Sequence, residues 1–224
     1  MKYNGDFGDH DSIVTFDIET THYDPEKGET VAIGVGHHET DSSTTDRYEI
    51  FTRRKRGVDD EQQLIERAFE YIDDLGGDTL VSYNGIEFDM DFIYERSVHF
   101  DSLPASPELA STGQHIDLFA GRKEACGPND KWPSLEECLD SYGLPVPKTV
   151  WNGSPLDNTR FGDEFAPAFL NMVANGDKQA IKPYREVLDH YLTTDLEANL
   201  ALYYADQGRS FEPDHLGLHG EFQT

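Results

Sequence analysis

IVTFDIET, residues 13–20, is an apolar, β-branched run that turns acidic at its end. Residues of this kind fit a pleated strand, so the stretch predicts a first strand ending in Asp17 and Glu19. Two positions apart on a strand, both side chains share one face. Carboxylates aimed the same way repel unless a cation lies between them, and hard oxygen donors suit Mg²⁺ or Mn²⁺. A lone D-x-E pair is most often a solvated strand end, so its meaning depends on what the rest of the chain brings to it.

Outward from this strand, TVAIGVGH (30–37) reads as a second strand and RYEIFT (47–52) as a third. Their short, non-helical connections favour antiparallel pairing. Residues 59–75 place Leu64, Ile65, Ala68, Phe69, Ile72 and Leu75 at helical spacing, and Gly76-Gly77 ends the run. TLVSY (79–83) is a fourth strand, Asn84-Gly85 a turn, 88–100 a second helix and HIDLF (115–119) a fifth strand. Residues 134–142 form a short helix with Ser134 as N-cap and Glu137 as its capping-box partner. Another helix follows over 165–174, and Pro183 opens a final helix running to 207. The Pro- and Gly-rich stretch 143–163 reads as a long irregular loop of the kind that carries function. The fold class expected is α/β, a mixed five-stranded sheet flanked by helices, in an order that resembles the ribonuclease H-like architecture. One domain is expected over 11–207, between a loose polar lead-in at 1–10 and a mobile tail at 208–224.

Composition narrows the function classes. No run approaches the ~18 apolar residues that a spanning helix needs, so no membrane partner is expected. The first twelve residues are polar and hold three Asp, unlike a signal or transit peptide. The two cysteines, Cys126 and Cys138, exclude a disulfide framework and a four-Cys zinc site. The expected location is cytoplasmic. Acids outnumber bases 44 to 18, a net charge of −26 spread along the whole chain. Such a surface repels itself in dilute salt. At 1 M salt the Debye length falls to about 3 Å and the repulsion is screened. The composition resembles that of proteins from salt-in halophiles, haloarchaea above all. The alternative is an acidic mesophilic protein that binds cations or basic partners.

Two further acids give the D-x-E pair its weight. Asp89 lies in YNGIEFDMDF, just after the fourth strand. Alone it reads as a first-turn helix acid complementing the helix dipole. Asp195 lies inside the last helix, in HYLTTDLEANLALYY, four residues after Tyr191 and therefore on the same face. That side also carries Val187 and Leu188 and points to the core. An unpaired carboxylate there is costly, so a metal partner is the natural explanation; the competing reading puts Asp195 on a solvent face.

FDIET, YNGIEFD and YLTTD, in this order, resemble the three motifs of the DEDD superfamily of 3′–5′ exonucleases, most of all the proofreading domain of family-B DNA polymerases. The likeness covers nearly the whole chain. It implies that Asp17, Glu19, Asp89 and Asp195 are the catalytic acids and bind two divalent cations, Mg²⁺ or Mn²⁺. It also implies that Asn84 and Phe88, with Thr20 at the end of the first motif, hold the substrate near its 3′ end. Two ions about 4 Å apart activate the attacking water and stabilise the leaving oxygen. Asp17 is expected to bridge them, Glu19 and Asp195 to complete one, and Asp89 to serve the other. The products implied are 5′-mononucleotides.

The third motif occurs with Tyr four residues before the Asp, or with His five before it. This sequence offers both Tyr191 and His190. On a continuous helix position 190 sits about 140° from 195, so Tyr191 is expected to orient the attacking water and His190 to be a surface residue. The partner implied is nucleic acid with a free 3′ end, single-stranded DNA in the first instance, in the company of replication or repair proteins. The residues do not separate DNA from RNA. Three alternatives stay open: an RNA exonuclease, a ribonuclease H-like endonuclease, and a catalytically silent nucleic-acid-binding module. The one basic cluster, Arg53-Arg54-Lys55-Arg56, reads as phosphate contacts or as a solvated loop. Trp132 and Trp151 read as base-stacking or, more simply, as packing residues.

Overall fold

The computed structural model describes residues 1–40, 47–110 and 113–224. The chain opens with strands β1 (Ser12–Thr20), β2 (Thr30–Glu39) and β3 (Arg47–Thr52), helix α1 (Val58–Leu75) and strand β4 (Thr79–Ser82). A π-turn (Gly85–Met90) leads into α2 (Asp91–Arg96), followed by β5 (His115–Asp117), α3 (Ala120–Ala125) and α4 (Leu135–Tyr142). The remainder comprises β6 (Lys148–Trp151), β7 (Ser154–Pro155), α5 (Asn158–Arg160), a second π-turn (Phe161–Phe165), α6 (Ala166–Asn175), α7 (Lys178–Asp206) and β8 (His219–Phe222).

The main sheet has the order β3-β2-β1-β4-β5. β1 runs antiparallel to β2 and β2 to β3, while β4 and β5 lie parallel to β1. This is the mixed five-stranded, ribonuclease H-like sheet expected. Strand alternation sorts β1 between two layers. Val14, Phe16 and Ile18 pack against Leu64, Ile65, Ala68 and Ile72 of α1. Ile13 joins Ala198 and Leu202 of α7 on the opposite face, the face to which Asp17 and Glu19 also belong. Each such fully buried aliphatic or aromatic side chain stabilises by about 1.5–3 kcal/mol.

Gly34 sets how closely α7 approaches the sheet. It pairs with Asp17 across β1 and β2, and a Cβ there would stand 3.0 Å from Leu196 Cδ1 and 3.3 Å from Leu192 Cβ. A bare backbone at this position lets the helix carrying Tyr191 and Asp195 settle over the strand carrying Asp17.

The structure departs from expectation at several places. The stretch 143–163 is not an irregular loop: β6 and β7 form a hairpin, and β8 pairs parallel to β6 to complete a three-stranded sheet. Asn152 and Gly153 both have positive φ, 49° and 79°, which two-residue hairpins of right-handed twist require. The segment 208–224 is not a loose tail. The Glu197 carboxylate accepts the backbone N–H groups of Asp214, His215 and Leu216, and Leu216 is fully buried. The lead-in is also tied down: Phe7 stacks on Tyr203 at 5.6 Å, and the Tyr3 N–H donates to the Tyr142 hydroxyl.

The last helix begins at Lys178, five residues before Pro183. The Asp177 carboxylate caps it, accepting from the Gln179 and Ala180 N–H groups at 2.9 and 3.2 Å. Pro183 costs that helix one backbone bond in its second turn. α4 is capped as expected, with Ser134 and Glu137 closing a reciprocal capping box.

Candidate active site

β1, the π-turn after β4, and α7 converge on one cleft of about 660 Å³. Asp17, Glu19 and Asp195 each present a carboxylate oxygen within 4.8 Å of the others, the one such cluster among the described residues. β1 and β2 slip register between Glu19 and Thr20, a bulge of the kind that re-aims side chains beside active sites. Asp89 lies outside the three-carboxylate cluster but lines the same cleft. It is 3% exposed, and its Oδ2 is buried without a hydrogen-bond partner.

The electrostatics follow from packing like charges at low exposure. Burial pushes the Asp17 carboxyl up to about 7. Glu19 is raised well above the usual carboxylate range, by burial first and then by Asp17, Asp195 and Asp89. Asp89 is raised by burial, Asp17 and Asp117, and Asp195 by burial, Asp17 and Glu136. Oxygen donors that share space only at this electrostatic cost, beside an orphaned carboxylate oxygen, fit hard divalent cations.

Tyr191 is 8% exposed and stands over the acids. Burial, then Glu19, Asp195 and Asp17, push its phenol well above 10. Its hydroxyl donates to Asn158 Oδ1 at 2.8 Å. His190, on the same continuous helix, is turned away from the acids, but it is not a surface residue. It packs against Gly220 and Phe222 of β8, and its Nε2 is buried without a partner. The sheet formed by β8 covers it.

Asn84, Phe88 and Thr20 all line the cleft. Asn84 takes a left-handed conformation (φ 66°) at the start of the π-turn. The Thr20 hydroxyl donates to the His22 carbonyl, which commits it to a local turn.

The basic cluster goes elsewhere. Arg53 is fully buried and pairs with Glu29 at 3.0 Å and Asp60 at 3.2 Å. Arg54 lines a separate depression along β3 with Arg67 and Arg185, and Arg56 pairs with Glu29 at 3.3 Å. Trp151 is a core residue, 6% exposed, whose Nε1 donates to the Thr224 hydroxyl.

Two positioning residues, Asp117 and Asn158, were not singled out in the sequence. Asp117 accepts the N–H groups of Asn84 at 2.8 Å, Ile86 at 3.2 Å and Phe119 at 2.9 Å. It thereby shapes the π-turn that presents Asp89. Its place at the C-terminal end of a strand parallel to β4, where sites in parallel sheets gather, was the available signal. Asn158 had none, since nothing local ties it to Tyr191.

A family model described as the RNase H superfamily matches residues 14–146. The chain belongs to the RNase H superfamily. The matched residues carry Asp17, Glu19 and Asp89, and this RNase H superfamily chain adds Asp195 and Tyr191 from α7, beyond the match. Among solved structures, it is similar to the family B DNA polymerase of the hyperthermophilic archaeon Pyrobaculum calidifontis, with 18% identity and a TM-score of 0.49 over 88% of this chain and 27% of the polymerase chain. It is also similar to E. coli exonuclease I in complex with a dT13 oligonucleotide, with 12% identity and a TM-score of 0.40 over 81% of this chain and 43% of the other. The chain thus spans less than half the length of either structure. No curated protein matches it in sequence.

Proposed function

We propose that this RNase H superfamily chain is a divalent-metal-dependent 3′–5′ exonuclease that releases 5′-mononucleotides from single-stranded DNA. The reading is carried by the convergence of Asp17, Glu19 and Asp195 within 4.8 Å, from elements far apart in the chain. It is supported by the ordered motifs that bring Asp89, Asn84 and Phe88 to the same cleft. Two Mg²⁺ or Mn²⁺ ions, when bound, supply an activated water and charge stabilisation at the leaving oxygen. Asp17, Glu19 and Asp195 would hold one ion, and Asp17 with Asp89 the other.

Tyr191 keeps its proton at neutral pH, so it orients through its hydroxyl and does not act as a base. Asn158 fixes where that hydroxyl points. Asn84 and Phe88 contact the terminal nucleotide, and Thr20 shapes the turn that borders it. The net charge of −26 suits the protein to molar salt inside a halophile's cytoplasm.

The test uses 5′-labelled single-stranded DNA and RNA of one sequence, with Mn²⁺ in high KCl. A ladder shortening from the 3′ end of DNA, abolished by chelator, is expected. Cleavage of closed circular DNA, or turnover unaffected by chelator, overturns the proposal.

A further inference from the structure

The cleft has an unusual wall for a site that takes nucleic acid. Asp17, Glu19, Asp89, Glu136, Asp163 and Asp195 all line it, and no lysine or arginine is among its described lining residues. Phosphate pairing with basic side chains, the ordinary source of affinity for nucleic acid, has nothing to act through there. Aromatic rings take up much of the remaining wall, and two of them are presented to solvent: Tyr23, 75% exposed and stacked on His22, and Trp132, which the ring packing around it holds more firmly. Trp132 is 54% exposed. Phe119 meets its ring edge-on at 5.8 Å, and Phe119 in turn packs on Tyr83 at 5.4 Å. The Lys123 ammonium lies over the indole at 4.6 Å and is paired with Glu87. The indole is therefore held in place from behind while half of it remains in water. Trp151 contrasts with it, since core packing and a hydrogen bond account for that residue fully.

We infer that, apart from the scissile phosphate that bound ions would hold, the cleft grips its substrate by the bases, with Trp132 as the stacking platform, and not through basic side chains on the phosphates. Trp132 is a substrate-positioning residue in this scheme, and the inference rests on the nuclease reading only for the identity of the ligand. Stacking needs an unpaired base with a free face, so the ligand class is a single strand whose bases can turn toward the wall. Because no phosphate is neutralised by a cationic side chain of the cleft, few counterions are released on binding. The affinity then lacks the steep loss with salt that basic sites show.

The experiment titrates a short, 5′-fluorescein-labelled, hydrolysis-resistant phosphorothioate dT strand, and an abasic strand of the same length, with the whole protein at low and molar KCl, reading binding by the anisotropy of the label. The dT strand is expected to bind and to quench the wild-type indole fluorescence, and the abasic strand to do neither. Trp132→Ala should weaken dT binding roughly 5- to 150-fold, the range for one base–aromatic stack, while Trp132→Phe, which keeps a stacking ring, stays close to wild type. Equal binding of the abasic strand, binding by Trp132→Ala within about twofold of wild type, or a steep loss of affinity with salt overturns the inference. A phosphodiester dT strand that is not shortened in Mn²⁺ although the resistant strand binds would overturn the nuclease reading alone, because anisotropy reports binding independently of hydrolysis.

Discussion

Asp17 is the residue around which the other acids are arranged: its charge helps raise Glu19, Asp89, Asp195 and the Tyr191 phenol. Its own carboxyl sits near 7 in the folded chain, against an ordinary value of 3.8. Between those two values the native state keeps a proton that the unfolded state has lost, so stability falls as pH rises through the window and levels above it. In chelator, the melting temperature of wild type relative to Asp17→Asn should therefore drop from about pH 4 to pH 7 and hold steady beyond. Excess Mn²⁺, which binds the ionised carboxylates, should abolish that drop and favour wild type over Asp17→Asn at neutral pH, and parallel melting at every pH in chelator would contradict the assignment. Asp17→Ala and Asp195→Ala should each abolish turnover; retention of more than about a tenth of the wild-type rate in either would sink the metal assignment. Tyr191→Phe should lower turnover by about 10²-fold or somewhat less, the low end for positioned proton-handling groups. His190→Ala, facing β8, should change turnover little. The reverse pattern would make His190 the residue that handles the water.

At the level of elements, Gly34 and Glu197 carry consequences out of proportion to their size. Gly34→Val would drive branched methyls into Leu192 and Leu196, where even a Cβ has only 3.0–3.3 Å. A loss of about 1–3 kcal/mol in denaturant unfolding is expected, with reduced turnover as α7 lifts Asp195 from Asp17. Unchanged stability would show that the helix seats without the close approach. The strands, α1 and the capped α4 were legible in the sequence because periodicity and caps are local. The three acid-bearing motifs were legible because each sits at a strand end, in a turn or on a helix face that local pattern defines. The β6–β7 hairpin was legible in principle: Val150-Trp151-Asn152-Gly153 carries the strongest short hairpin signal, hidden by reading its Pro and Gly as a loop. β8 was not, because its partner lies some seventy residues earlier and its anchor is a single carboxylate on α7. The π-turn at 85–90 was likewise hidden, since Asp117 shapes it from another strand. Glu197→Ala should free the amides of residues 214–216 to exchange and cost at least the ~1.5–3 kcal/mol of a hydrogen bond to a charged group. Amides as protected as in wild type would mean that β6 alone holds β8.

Across the whole molecule, a net charge of −26 works against compactness until ions screen it. The melting temperature should climb as KCl is raised from 0.1 to 3 M, and a flat response would remove the halophilic reading. The site is also the product of long-range assembly. The first two acids lie on β1 and the last on α7, the closing helix of the main fold. During synthesis at about 5–20 residues per second, the strand bearing Asp17 and Glu19 waits on the order of ten seconds or more for Asp195 to leave the ribosome. Until then the growing chain has no assembled carboxylate cluster, so the proposed activity can arise only once the last helix docks.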